Sequence, residues 1–225
     1  MTLLQLRQRV LERLDEPSGA PVYYTAAEVN EAINQGLRVF VFLTLCLERT
    51  QALTLTAGQA FYSMLAQGAF SDWFMPLRLR AGAVKVLPSK LADFRLLNER
   101  WREESGTPAR YACPGTDLLC LYPPPAGGSV TITYAKSPTA LTADGNTPEI
   151  PEEDHPVLAD FAIWILRAKE GGLEFMAGDQ GFERFWIASM ARAEHVRKRS
   201  LAQGNDRMPV ELTQFDMSAI VAERE

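Results

Sequence analysis

Histidine and cysteine are scarce in this chain of 225 residues, with two of the first and three of the second. The cysteines, Cys46, Cys113 and Cys120, are odd in number, lack the close spacing of a metal site and stand among apolar residues. They read as buried reduced thiols, because free cysteine packs as a small apolar side chain. A Cys113–Cys120 bridge across a hairpin is the alternative. Long apolar runs are missing too. The densest, Val39 to Leu47, is about half of the roughly 18 residues that span a bilayer, so the chain is expected to be soluble, with no membrane partner. Its first residues mix arginine into an apolar stripe where a secretory signal would need a clean apolar stretch, which predicts synthesis and retention in a cytoplasm. Nor does charge of one sign dominate: 23 Lys and Arg face 28 Asp and Glu, a formal net charge of −5. That balance disfavours tight general DNA binding, which rests on neutralising phosphates, and suits a protein past which DNA must slide.

The usual signatures of catalysis are also lacking. No Gly-rich phosphate loop, Gly-x-Ser-x-Gly elbow or His-Glu-x-x-His helix occurs, so neither an enzyme nor a bound cofactor is expected. The adjacent acids Glu103-Glu104 and Glu152-Glu153 read as solvent-facing. His155 and His195 read as solvated surface histidines, since spacing implies no partner for either. Asp144-x-Asn146-x-x-Glu149 offers hard oxygen ligands but lacks the spacing of a calcium loop and reads as a hydrated turn, with no metal.

What is present is an ordinary globular composition, 47% hydrophobic and 23% charged, in a length that fits one large domain or two small ones. Leu3, Leu6, Val10 and Leu14 form one stripe and predict a first helix. Thr25 and Glu28 make a capping box, with Tyr24 placed to staple onto Val29. The helix they open runs through Ile33, Leu37, Phe40 and Val41 and thickens into Leu43, Leu45 and Leu47. From Leu53 the pattern alternates. Leu53–Thr56 and Phe61-Tyr62 read as a hairpin about Gly58, and strands follow at Leu77–Arg80, Ala83–Leu87, Arg110–Cys113, Leu118–Tyr122 and Val130–Tyr134. Leu91 to Trp101 returns to helical spacing. Pro156 suits the first turn of another helix, ending near Gly171-Gly172. A last helix reads from Phe182 to Arg197-Lys198-Arg199, and Phe161, Trp164, Phe182, Phe185 and Trp186 read as core.

The expected fold is α+β: a helical bundle built from the two ends of the chain, with a small antiparallel β unit inserted and an extended C-terminal arm. The boundaries are 1–50 and 152–203 for the helical body, 51–137 for the β unit, 138–151 for an acidic Pro-rich loop and 204–225 for the arm. Two groups are candidates for contact with partners. Arg192, Arg197, Lys198 and Arg199 crowd the end of the last helix, where they complement its dipole; contact with nucleic acid or with an acidic protein surface is the second reading. In the tail, Val210, Leu212, Phe215, Met217 and Ile220 are apolar with few neighbours to bury them. This reads as an arm that orders on a partner, with a frayed terminus the alternative.

The run Tyr23-Tyr24-Thr25-Ala26-Ala27-Glu28-Val29-Asn30-Glu31-Ala32-Ile33-Asn34 resembles the second helix of head-to-tail adaptor proteins of tailed bacteriophages. Further pieces agree in order. Leu53-Thr54-Leu55-Thr56-Ala57-Gly58-Gln59-Ala60-Phe61-Tyr62 resembles the family's first hairpin, and Trp101 to Pro108 its helix-to-strand junction. The longest match, Leu118 to Ala168, contains Leu121-Tyr122-Pro123-Pro124-Pro125 and Pro148-Glu149-Ile150-Pro151-Glu152-Glu153-Asp154-His155-Pro156. The resemblance covers about residues 1 to 200 and leaves the tail beyond Gly204 unmatched. It implies a ring, commonly of twelve copies, beneath the portal protein of a DNA-filled head. Such a ring extends the channel through which DNA passes and carries a downstream tail or nozzle protein. It also implies a virion location, after assembly in the bacterial host cytoplasm. Another ring of the tail apparatus, a tail-tube or tail-terminator component, is the second reading, and a phage-encoded cell-wall hydrolase the third.

Overall fold

The computed structural model describes residues 1–17, 23–170 and 172–207, with the backbone alone for 172–179. Among these residues the chain forms five α-helices and a seven-stranded mixed sheet, an α+β fold. It divides into two compact units. Among the described residues, the first takes Met1–Thr44 and Thr139–Lys198; the second takes Leu45–Pro138 together with Arg199–Arg207.

In the first unit, α1 (Leu3–Arg13) starts at a capping box in which Thr2 accepts from the Gln5 amide and Gln5 answers to the Thr2 amide. Its stripe of Leu3, Leu6 and Val10 is fully buried. The Thr25/Glu28 capping box forms as read, the Glu28 carboxylate accepting from the Thr25 amide at 2.8 Å and the Thr25 hydroxyl from the Glu28 amide at 3.2 Å. It opens α2 (Ala26–Thr44). This helix stops short of Leu47. The Thr44 hydroxyl donates to the Phe40 carbonyl within the last turn, and Leu45 turns left-handed at φ 49°. Then α4 (His155–Arg167), with proline in its first turn, packs on both α1 and α2. The final helix, α5 (Gly172–Gln203), is longer at both ends than the Phe182–Arg199 reading, because no proline or left-handed residue interrupts the chain between them.

Two glycines set the helix separations. A Cβ on Gly36 of α2 would come within 3.0 Å of the Phe161 ring of α4, and one on Gly181 of α5 within 2.9 Å of the Asp160 carbonyl. Phe161 and Phe185 lie in the core with ring centroids 4.7 Å apart. Trp164, Phe182 and Trp186 are half-buried rather than core, because they ride the edge of the α4–α5 seam, with the Trp164 and Phe182 ring centroids 4.6 Å apart and the planes tilted by 36°.

In the second unit the strands are β1 (Glu48–Thr54), β2 (Phe61–Ser63), β3 (Trp73–Ala81), β4 (Val84–Pro88), β5 (Arg110–Ala112), β6 (Leu118–Tyr122) and β7 (Ser129–Lys136), with the short α3 (Leu91–Leu97) between β4 and β5. Their order in the sheet is β1-β7-β3-β4-β5-β6-β2. The predicted hairpin about Gly58 does not form. Gly58 makes its turn at φ 74°, but β1 pairs with β7 and β2 with β6. The unit is not wholly antiparallel either, since β4 and β5 run parallel. A parallel pair needs a crossover of a dozen or more residues, and residues 89–109, containing α3, provide it. One buried cluster draws side chains from all seven strands, among them Leu53, Tyr62, Trp73, Leu79, Val86, Tyr111, Leu121 and Ile132. A second cluster, Phe94, Trp101, Ala112 and Cys120, lies between α3 and the other face of β5 and β6. All three cysteines are free thiols; Cys120 is buried, while Cys46 and Cys113 are half-buried, Cys113 packing against the edge of the first cluster. Burial pushes the Cys120 thiol up to about 12 and that of Cys113 to about 11.

Candidate interaction surfaces

Both the helix-end arginines and the acidic loop engage partners within the chain. In the first unit, the Arg192 guanidinium lies 2.6 Å from Asp154 and 2.8 Å from Glu153, two acids of the turn that leads into α4. Burial pulls the Arg192 pKa down, but the bonds to Asp154 and Glu153 outweigh it and hold the guanidinium above its usual value. Lys198 pairs with Glu194 one turn earlier at 2.8 Å, an exposed contact. In the second unit, Arg199 reaches Glu48 of β1 at 3.2 Å. Arg197 is half-buried on α5 and is likewise engaged. The cluster read as one group at a helix end is therefore distributed over two units, and Arg192, Lys198 and Arg199 each face a carboxylate of the same chain.

The surface reading of His155 does not hold. It is 2% exposed, with Nδ1 2.7 Å from the Met1 nitrogen and Nε2 3.0 Å from the Ile150 carbonyl. The chain start and the Ile150–Pro156 segment converge on it, a juxtaposition invisible to local spacing. His195 is exposed on α5.

The acidic Pro-rich loop is held by many bonds. Asn146 caps it by accepting from the Thr142 and Ala143 amides at 3.0 and 2.8 Å. Its backbone carbonyl and that of Asp144 accept from the Leu3 and Leu4 amides, the free donors at the start of α1. The Asp144 carboxylate pairs with Arg7 at 2.9 Å. Deeper, the Asn34 side chain of α2 bonds both backbone groups of Leu141, accepting at 2.8 Å and donating at 3.0 Å. The oxygens of the Asp144-x-Asn146-x-x-Glu149 cluster thus serve protein bonds, and no metal-holding group of His, Cys, Asp or Glu occurs among the described residues.

The tail begins on the second unit. Gly204, at φ 69°, donates to the Leu201 carbonyl, and the Asn205 amide to that of Ser200. The Asp206 amide then donates to the Leu77 carbonyl of β3 at 2.6 Å, and its carboxylate pairs with Lys85 of β4 at 2.6 Å. Sequence reading placed the start of a free arm at Gly204. The glycine after a basic helix end signals a helix stop, but the attachment to β3 and β4 has no local signature. Val210, Leu212, Phe215, Met217 and Ile220 lie outside the described residues. Among the described residues no helix is long and apolar enough to cross a membrane.

A comparison with curated proteins found no match. The family model described as SU10 adaptor protein matches residues 1–210, so Val210 is the last residue within the match and Leu212, Phe215, Met217 and Ile220 fall beyond it. That match extends over nearly the whole chain, takes in both compact units and agrees with the ordered motifs read between Tyr23 and Ala168. The chain belongs to the SU10 adaptor protein family, a structural family of phage head-tail adaptors.

Proposed function

We propose that this chain is a structural virion protein whose copies form a ring beneath the portal, join the DNA-filled head to the tail and extend the DNA channel. The observation that carries the reading is the family match over residues 1–210. A net charge of −5, with Arg192, Lys198 and Arg199 each facing a carboxylate of the chain itself, supports a channel wall that passes DNA without gripping it. The partners on this reading are the portal protein, a downstream tail or nozzle protein and further copies of the chain, twelve to a ring, assembled in the bacterial host cytoplasm. Chain beyond Arg207, with Val210, Leu212, Phe215, Met217 and Ile220, contacts the portal. Contacts that are weak singly become strong once a portal templates many copies, so a free monomer is compatible with this role.

The test is the native mass of the purified protein alone and after mixing with the portal ring of the same phage. A portal-bound assembly of many copies is the expected result. A monomer that ignores the portal overturns the reading, and capture by a tail tube instead would assign the chain to a neighbouring ring.

A further inference from the structure

The last turn of α5 closes with the paired bonds of a Schellman stop, Gly204 to Leu201 and Asn205 to Ser200, each 3.1 Å. The residue after the left-handed glycine commonly adds an apolar contact at such a stop. Here it is Asn205, 7% exposed, with both polar atoms of its side-chain amide buried and without a hydrogen-bond partner. An asparagine amide has one acceptor and two donor hydrogens to satisfy, so a position that favours an apolar side chain holds unmet polar groups. The bonds on either side of it run to the sheet. Arg78 donates to the Gln203 carbonyl at 2.9 Å and Lys85 to that of Gly204 at 3.0 Å, while Asp206 takes the Leu77 carbonyl, Lys85 and the Tyr111 hydroxyl, the last at 3.4 Å. Arg78 and Lys85 reach these oxygens from the solvent side, where water and salt compete for them.

We propose that Gln203–Arg207 is a metastable latch, closed by Lys85, Arg78 and the Leu77 carbonyl and weakened from within by Asn205, which holds the root of the following chain on the β unit and opens without unfolding the sheet. Released, its five residues can extend about 17 Å, so the latch decides whether Arg207 stays at the sheet or moves clear of it. The latch belongs to the free chain and does not depend on a ring or a portal.

The test is residue-resolved amide hydrogen exchange on the full chain, reading the Asp206 amide against amides of the β3–β7 ladder. Expected in the unmodified protein is an Asp206 amide at least tenfold less protected than the ladder. Asn205→Leu, and Asn205→Ala as the smaller control, raise its protection tenfold or more with the ladder unchanged, and Lys85→Met lowers it. Asp206 protected as strongly as the ladder overturns the proposal. So do Asn205 variants that leave its protection unchanged or reduce it, since the amide would then be neutral or stabilising where it sits.

Discussion

At the scale of single residues, the helical unit depends on places where a side chain is absent. Gly181 of α5 lies against the Asp160 carbonyl, and backbone cannot give way as the end of a flexible side chain can. Alanine is favoured over glycine by roughly 1 kcal/mol in a helix interior, whereas forcing atoms into a packed contact costs about 1–3 kcal/mol. Gly181→Ala should therefore lower stability to urea despite its helix preference. Gly68→Ala, with open space around the new Cβ, should leave stability within about 1 kcal/mol of the parent or raise it. Glu28 carries a pH signature. The Lys169 ammonium, then the Thr25 amide and hydroxyl, hold its carboxyl down to about 2 from an ordinary 4.5. A depressed folded value means that the contribution is complete above pH 4.5 and disappears as the pH falls toward 2. The stability gap between the parent and Glu28→Gln, followed by urea titrations over that range, should narrow steadily as acid is added. The capping role of Glu28 was legible in the sequence because both ends of the box lie within four residues. Its pairing with Lys169 at 2.9 Å was not, since 141 positions separate them.

At the scale of elements, the acidic loop read as extended is a fastening for α1 and α2. Asn34, 7% exposed, exchanges two bonds with the Leu141 backbone. Truncation would leave a buried amide and carbonyl unpaired, each worth about 1–3 kcal/mol. Asn34→Ala should cost about 2–3 kcal/mol in chemical denaturation, and should also speed hydrogen exchange at Leu3 and Leu4, whose amides bond Asn146 and Asp144 of the same loop. Strands were legible one at a time because alternation is local, and β5–β6, joined by five residues, was legible as a pair. The pairing of β1 was not. Leu53–Thr56 and Phe61-Tyr62 have the composition of a hairpin, yet β1 finds more partners on β7, where seven residue pairs align from Glu48 opposite Ala135 to Thr54 opposite Ser129. Such long-range pairing outweighs a local turn when it buries Leu53 with Val130 and Ile132.

At the scale of the whole molecule, the latch redefines where an arm can be cut. Deletion after Gly204 removes Asp206 together with its bonds to Leu77 and Lys85, so it disturbs the β unit as well as the tail. A chain ending at Arg207 keeps them. The expected outcome is that the 1–207 protein melts like the parent and no longer joins the portal ring in native mass measurements. Undiminished portal binding by 1–207 would place the contact elsewhere in the two units. The same comparison separates an arm that binds from a terminus that merely frays.

The sequence by itself determined what depends on neighbours within a few turns: the amphipathic stripes of α1, α2 and α4, the Thr25/Glu28 capping box, the alternation of most strands, the α+β class and the ordered motifs that mark the adaptor family. The tertiary structure alone decided the strand order with its parallel β4–β5 pair, the burial of His155, the carboxylate partners of Arg192 and Arg199 and the attachment of Asp206 to the sheet. Periodicity records which face of an element is apolar. It does not record which distant element covers that face or satisfies its polar groups, because those choices are fixed only when hydrogen bonds and packing are satisfied together across the folded chain.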